Sequence, residues 1–206
     1  EYLKKWIHAE FESEKMHKKL SNSIYEQPIA LQVDKKDLPK ISIITSVYNG
    51  DEFIESFLEN ITSQTIFEDK CELILINADS PGNEESVIKK YLEKYPNNIV
   101  YKKLDEDPGI YAVWNIAIKM SKGEYITNAN LDDARAPYSL ERHAKELFVY
   151  PDIDLVYADM IHTEVPNETF EKGNPNRKRY NMLDFSYDNL RMTNMPHAAP
   201  MWRKNY

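Results

Sequence analysis

Along this chain short apolar runs alternate with longer stretches in which apolar residues return every three or four positions. Ile41 to Val47 is an apolar, β-branched run, and the segment after it sets Phe53, Ile54, Phe57, Leu58 and Ile61 at helical spacing. Leu73 to Ile76 predicts a second strand, with a turn at Asp79-Ser80-Pro81-Gly82-Asn83 and a helix carrying Val87, Ile88, Tyr91 and Leu92. A third strand near Ile99 to Lys102 leads to Asp107-Pro108-Gly109 and a helix through Val113, Trp114, Ala117 and Ile118, stopped by Gly123. Tyr125 to Thr127 predicts a fourth strand, Tyr138 to Val149 a helix ended by Pro151, and Leu155 to Tyr157 a fifth strand. Such alternation with short connections predicts an α/β fold: a mainly parallel central sheet with helices on both faces.

Ahead of this pattern, residues 1 to 20 place Leu3, Trp6, Ile7, Phe11 and Leu20 on a rough helical stripe among charges, which predicts an amphipathic lead-in helix. Residues 21 to 40 carry the polar and proline signals of a linker. The expected division is therefore 1–39, N-terminal helix and linker, and 40–206, one α/β domain. After Asp159 the pattern weakens, and residues 163 to 181 read as an irregular flap.

Composition narrows the function. A chain of 206 residues can bury one sizeable core, and no run approaches the ~20 apolar residues of a membrane span. With 34 acidic against 26 basic residues the net charge is -8, which argues against a nucleic-acid partner. A single cysteine, Cys71, excludes an intramolecular disulfide and a Cys-based zinc site and suits a reducing, cytoplasmic setting. The start at Glu1-Tyr2-Leu3, without an initiator Met, reads as a piece of a longer chain.

In an open parallel sheet ligands bind beyond the carboxyl ends of the strands. Four predicted strands end in Tyr48-Asn49-Gly50, Asn77-Ala78-Asp79-Ser80, Asp105-Glu106-Asp107-Pro108-Gly109 and Asn128-Ala129-Asn130-Leu131-Asp132-Asp133. Carboxylates and amides on one sheet edge, with neither GxGxxG nor GxxxxGK[ST], point away from NAD and P-loop chemistry and toward a metal-bridged nucleotide. Adjacent carboxylates such as Asp132 and Asp133 can hold Mg2+ or Mn2+ against diphosphate oxygens. They could equally serve the first turn of the following helix, with Pro137 at its start.

Three segments resemble the family 2 glycosyltransferases of the GT-A nucleotide-diphospho-sugar fold: ISIITSVYNGDEFIESFLENITSQT (41 to 65), DPGIYAVWNIAIKMSKGEYITNANLDD (107 to 133) and PHAAPMWRKNY (196 to 206). The resemblance runs from Lys40 to Tyr206 with the motifs in family order. It implies an inverting transfer of sugar from a nucleotide-diphospho-sugar, most readily a UDP-sugar, to a carbohydrate or other hydroxyl acceptor, with a divalent cation steadying the leaving diphosphate and a carboxylate base deprotonating the acceptor.

Carried over residue by residue, the resemblance puts Thr45 and Tyr48 at the nucleoside, although Tyr48 could also be a plain strand-end aromatic. Asn77 and Asp79 stand in the loop where the family has an acidic pair followed by Gly-Ser: here the first acid is an amide, the second is Ala78, and Asp79 takes the glycine position. Asp107 and Gly109 match the start of the donor-flanking helix, with a cap as the alternative role, and Asn115 matches a polar position one turn on. Trp114 reads as packing. Asp132 would contact ribose or metal, and Asp133 would be the metal ligand.

The catalytic base is left unassigned, because in the family it follows the segment matching 197–203, which puts it beyond Tyr206. Asp159, Asp184, Asp188 and His197 are the candidates within the chain, and His143 reads as a surface residue of its helix. A non-catalytic nucleotide-sugar-binding module of a larger protein is the alternative function, favoured by the altered Asn77-Ala78 pair. Nucleotidyl transfer is weaker, since the basic Gly-rich loop for a triphosphate is missing.

Overall fold

The computed structural model describes residues 8–9, 32–169, 178–183, 185–193 and 199–204. Nine strands are present among these: β1 (His8–Ala9), β2 (Ile41–Val47), β3 (Cys71–Asn77), β4 (Ile99–Lys103), β5 (Tyr125–Asn128), β6 (Leu155–Ala158), β7 (Met160–His162), β8 (Lys178–Tyr180) and β9 (Met201–Arg203). The helices are α1 (Ile54–Thr62), α2 (Phe67–Lys70), α3 (Glu84–Lys94), α4 (Ile110–Met120), α5 (Ser139–Val149) and α6 (Tyr187–Met192).

The main sheet runs β1-β6-β9-β5-β2-β3-β4, and the expected α/β architecture is the one observed. β2, buried along almost its whole length, lies inside the sheet. It pairs in parallel with β3 (Ile41 opposite Cys71, Val47 opposite Asn77) and with β5 (Ile41 opposite Tyr125, Ile44 opposite Asn128). Its period of two sends Ile41, Ile43 and Val47 to the face covered by α1, α2, α3 and α5, while Ile44 packs with Val113 and Ala117 of α4 on the other. Each face thus has its own core, and burial on both explains why β2 and β3 read as continuous apolar runs.

Three features depart from the sequence expectation. β9 slots antiparallel between β5 and β6; three residues followed by Lys204 carry too little pattern to announce a strand. Part of the expected flap is ordered as the β7–β8 hairpin, with Met160 opposite Tyr180. His8 and Ala9 form a short strand parallel to β6 where a helix was expected, the backbone being drawn to the open edge of β6; the rest of the expected helix lies outside the described residues.

Gly123 also has a different reason from the expected helix stop. α4 ends at Met120 with Ser121 as its C-cap, and a Cβ at residue 123 would lie 2.6 Å from the Ser42 amide nitrogen, so glycine lets the chain pass beside β2. Among the described residues no helix is long and apolar enough to cross a membrane.

Candidate functional site

β2 is flanked by β3 on one side and β5 on the other, so their carboxyl ends open side by side at the point where strand order reverses. The loops leaving β2 and β3 are bonded to one another. Asn49 N–H donates to Ser80 Oγ at 2.8 Å, Gly50 N–H to Glu84 Oε1 at 2.6 Å, and Asn83 N–H to Asp51 Oδ1 at 2.7 Å. Ser80 N–H donates to Asn77 Oδ1 at 2.8 Å, and Ser80 O–H to Glu84 Oε1 at 2.7 Å. On the other side Leu131 packs against Gly50, with no room for a Cβ between them. The loops after β2, β3 and β5 therefore form one assembly.

Within it, Tyr48 is 51% exposed beside Asn49, whose φ of 50° turns the chain sharply. Asp79 is exposed with φ 55°, the left-handed region that favours glycine and that Asp tolerates better than most side chains. Asn77 is 2% exposed, and its Oδ1 holds the Ser80 amide. It braces the loop from beneath. Thr45 is fully buried on the face of Ile43 and Val47, and its neighbour Ser46 is the half-exposed residue of β2.

Asp132 and Asp133 are exposed in the loop between β5 and α5. α5 starts at Ser139 after Tyr138, with Glu141 as the acid of its first turn, so the pair does not serve the helix terminus. Asn130 Nδ2 donates to Asp133 Oδ2 at 2.8 Å. Arg135 anchors the loop from below, 5% exposed, with Nη2 donating to Thr127 Oγ1 at 2.8 Å and to the Asn128 carbonyl. Asn60 of α1 grips the Arg135 backbone on both sides, N–H to Oδ1 at 2.8 Å and Nδ2 to O at 2.9 Å, and Gln64 bonds the Ala136 carbonyl and the Leu140 amide. Burial pushes the Arg135 guanidinium down to about 10, against the opposing pull of Asp133.

No group of three or more His, Cys, Asp or Glu is arranged among the described residues to hold a metal ion alone. Two exposed adjacent carboxylates fit a cation that completes its shell with diphosphate oxygens and water, the usual habit of Mg2+.

At the end of β4, Asp107 Oδ1 accepts the Gly109 N–H at 2.8 Å, an Asx turn leading into α4, and Gly109 has φ 86°. Both face solvent, as does Asn115; Trp114 packs into the second core, with Tyr111 edge-on to it. Of the candidate bases, Asp159 is tied to Arg179 at 2.8 Å and to the Met182 amide, holding the β7–β8 hairpin. Asp188 is exposed on α6, 3.8 Å from Arg191. Asp184 and His197 lie outside the described residues. His143 is a correction: it is fully buried, because it shares the α5 face of Leu140, Ala144 and Leu147, and burial with help from Arg135 and Arg142 pushes it down to about 3.

The residues that sequence reasoning missed are the braces: Glu84, Arg135, Asn60 and Gln64. Their signal was faint. Asn60 and Gln64 are spaced by one helical turn, and Glu84 opens α3 next to an expected turn.

This is the GT-A fold. Staphylococcus aureus TarS 1-349 superposes with a TM-score of 0.60 at 18% identity, over 80% of this chain and 47% of that one. A mannosyltransferase from Pyrobaculum calidifontis, PcManGT, in complex with GDP-Man and Mn2+, gives 0.56 at 22% identity, over 69% and 41%. The chain belongs to glycosyl transferase family 2, whose model matches residues 42–206. It is 39% identical over 92 residues to the minor teichoic acid biosynthesis protein GgaB of Bacillus subtilis, covering 45% of this chain and 10% of that protein. It is 28% identical over 158 residues to a poly(ribitol-phosphate) beta-glucosyltransferase of Bacillus spizizenii, covering 64% and 25%. The chain thus spans less than half the length of each of these proteins.

Proposed function

We propose that this domain binds a nucleotide-diphospho-sugar and transfers its sugar, with inversion, to an acceptor hydroxyl, assisted by Mg2+ or Mn2+. The observation that carries the reading is the assembly of three strand-end loops, two joined by hydrogen bonds and the third packed on them through Leu131, which presents Tyr48, Asp79 and the Asp132–Asp133 pair together in a member of family 2. In this scheme Tyr48 stacks on the base and Asp79 reaches the nucleoside edge. Asp132 and Asp133 hold the cation, whose chemistry is to offset charge developing on the leaving diphosphate. Asp107, Gly109 and Asn115 flank the donor, and Asn77 acts through the loop it braces.

The donor we favour is a UDP-sugar: TarS has been solved with UDP-GlcNAc, and PcManGT with GDP-Man, so both nucleotides belong in the test. The acceptor is a carbohydrate or other hydroxyl, and the poly(ribitol-phosphate) in a relative's name puts polyol phosphates in the acceptor panel. The single thiol, Cys71, supports a cytoplasmic setting. The second reading, a nucleotide-sugar-binding module without transfer, rests on Asn77 and Ala78 standing in place of acids. Saturation-transfer NMR against UDP- and GDP-sugars with Mn2+, followed by a transfer assay, separates the two. Binding with transfer supports the enzyme, binding without transfer the module, and no binding with Mn2+ refutes both.

A further inference from the structure

Glu84 is fully buried at the start of α3, and its carboxylate is committed to the two loops of the nucleoside side. Oε1 accepts Gly50 N–H at 2.6 Å and Ser80 O–H at 2.7 Å, and Ser80 Oγ in turn accepts Asn49 N–H at 2.8 Å. The two successive amides after Tyr48, turned inward by the left-handed Asn49, thus close on one carboxylate, directly and through one hydroxyl. Paired N–H groups in such a turn form a concavity for an anion, and here the chain supplies its own.

A carboxylate is costly to bury, and charge-assisted bonds offset the cost only where they are made. Oε2 has no partner among the described residues and lies 2.8 Å from the point where residue 82 would carry a Cβ, so Gly82 closes over it. Capping of α3 does not account for the carboxylate, since Oε1 accepts from Gly50 of the loop after β2 as well as from Ser80 ahead of the helix, and Glu85 also supplies charge in the first turn. The polar anchors of the Asp132–Asp133 loop, Asn60, Gln64 and Arg135, make no bond to it.

We propose that Glu84 is a positioning residue for nucleoside recognition, fixing the backbone after Tyr48 against the Asp79 loop so that ring and carboxylate meet one nucleoside; this rests on the nucleotide-sugar reading of the site. A residue acting through Tyr48 must lose its effect when that ring is gone. The test is the UDP dissociation constant with Mn2+ for wild type, Glu84→Gln, Tyr48→Ala and the double variant, at a temperature where all are folded.

Glu84→Gln is expected to weaken UDP about 5- to 10-fold beside Tyr48 and less than about 2-fold in the Tyr48→Ala background. Ser80→Ala, which removes only the Asn49 branch, is expected to show the same dependence at smaller size and carries the test if Glu84→Gln does not fold. Equal fold-losses in both backgrounds, or no loss in either, overturn the proposal alone. A wild type that binds neither UDP nor GDP with Mn2+ overturns the site reading and the proposal with it.

Discussion

Leu131 Cδ1 lies 2.3 Å from the point at which Gly50 would carry a Cβ. This contact seats the loop of Asp132 and Asp133 directly on the loop of Tyr48, so the two loops share one van der Waals surface. A Gly50→Ala substitution must push the Leu131 tip aside. Because that tip is flexible, the stability cost is expected at the low end of the ~1–3 kcal/mol of overpacking. The displaced loop should nonetheless weaken Mn2+-dependent UDP binding. Thermal melting and calorimetry on one sample check this: unchanged binding with a lowered melting temperature would show that the contact serves packing only.

Tyr48 presents an exposed ring on a turn fixed by two backbone bonds. Stacking of an aromatic on a base is worth ~1–3 kcal/mol in nucleic-acid readers, so Tyr48→Ala should weaken UDP about 10-fold or more while Tyr48→Phe stays near wild type. A dissociation constant unmoved by the alanine removes Tyr48 from the site.

His143 makes stability depend on pH. In the unfolded chain it takes up a proton near its ordinary 6.5, whereas in the fold burial holds it down to about 3. The stability tied to neutral His143 is therefore complete above 6.5 and lost as pH falls from there toward 3, at up to ~1.4 kcal/mol per pH unit. His143→Leu keeps an apolar occupant of the Leu140–Leu147 face and should flatten that limb in urea unfolding between pH 6 and 4. An identical slope in the two proteins would contradict the assignment.

Much of this architecture was legible because apolar period and turn chemistry agree. The β-branched run of Ile41–Val47, the Asp79 turn and the spacing of Phe57, Leu58 and Ile61 all lie where packing needs them. The misses have physical causes. β9 is held by its two neighbouring strands, which no local pattern records. His143 sits three residues after Leu140 and four before Leu147, so its own helix placed it in the core against the polar habit of its side chain. Glu84 and Arg135 are tied to residues far along the chain, Gly50 and Asn60 respectively, and such partners emerge only with the fold.

The most direct test of the site is calorimetry of UDP and GDP binding, with Mn2+ and with EDTA, to wild type and Asp133→Ala. Asp133 is exposed and bonded to Asn130, so the substitution should leave the fold intact. The expected result is tight binding of one nucleotide by wild type only with Mn2+, and a loss of about 10-fold or more in the variant. Equal, metal-independent affinities for the two proteins would contradict a cation held by the Asp132–Asp133 pair.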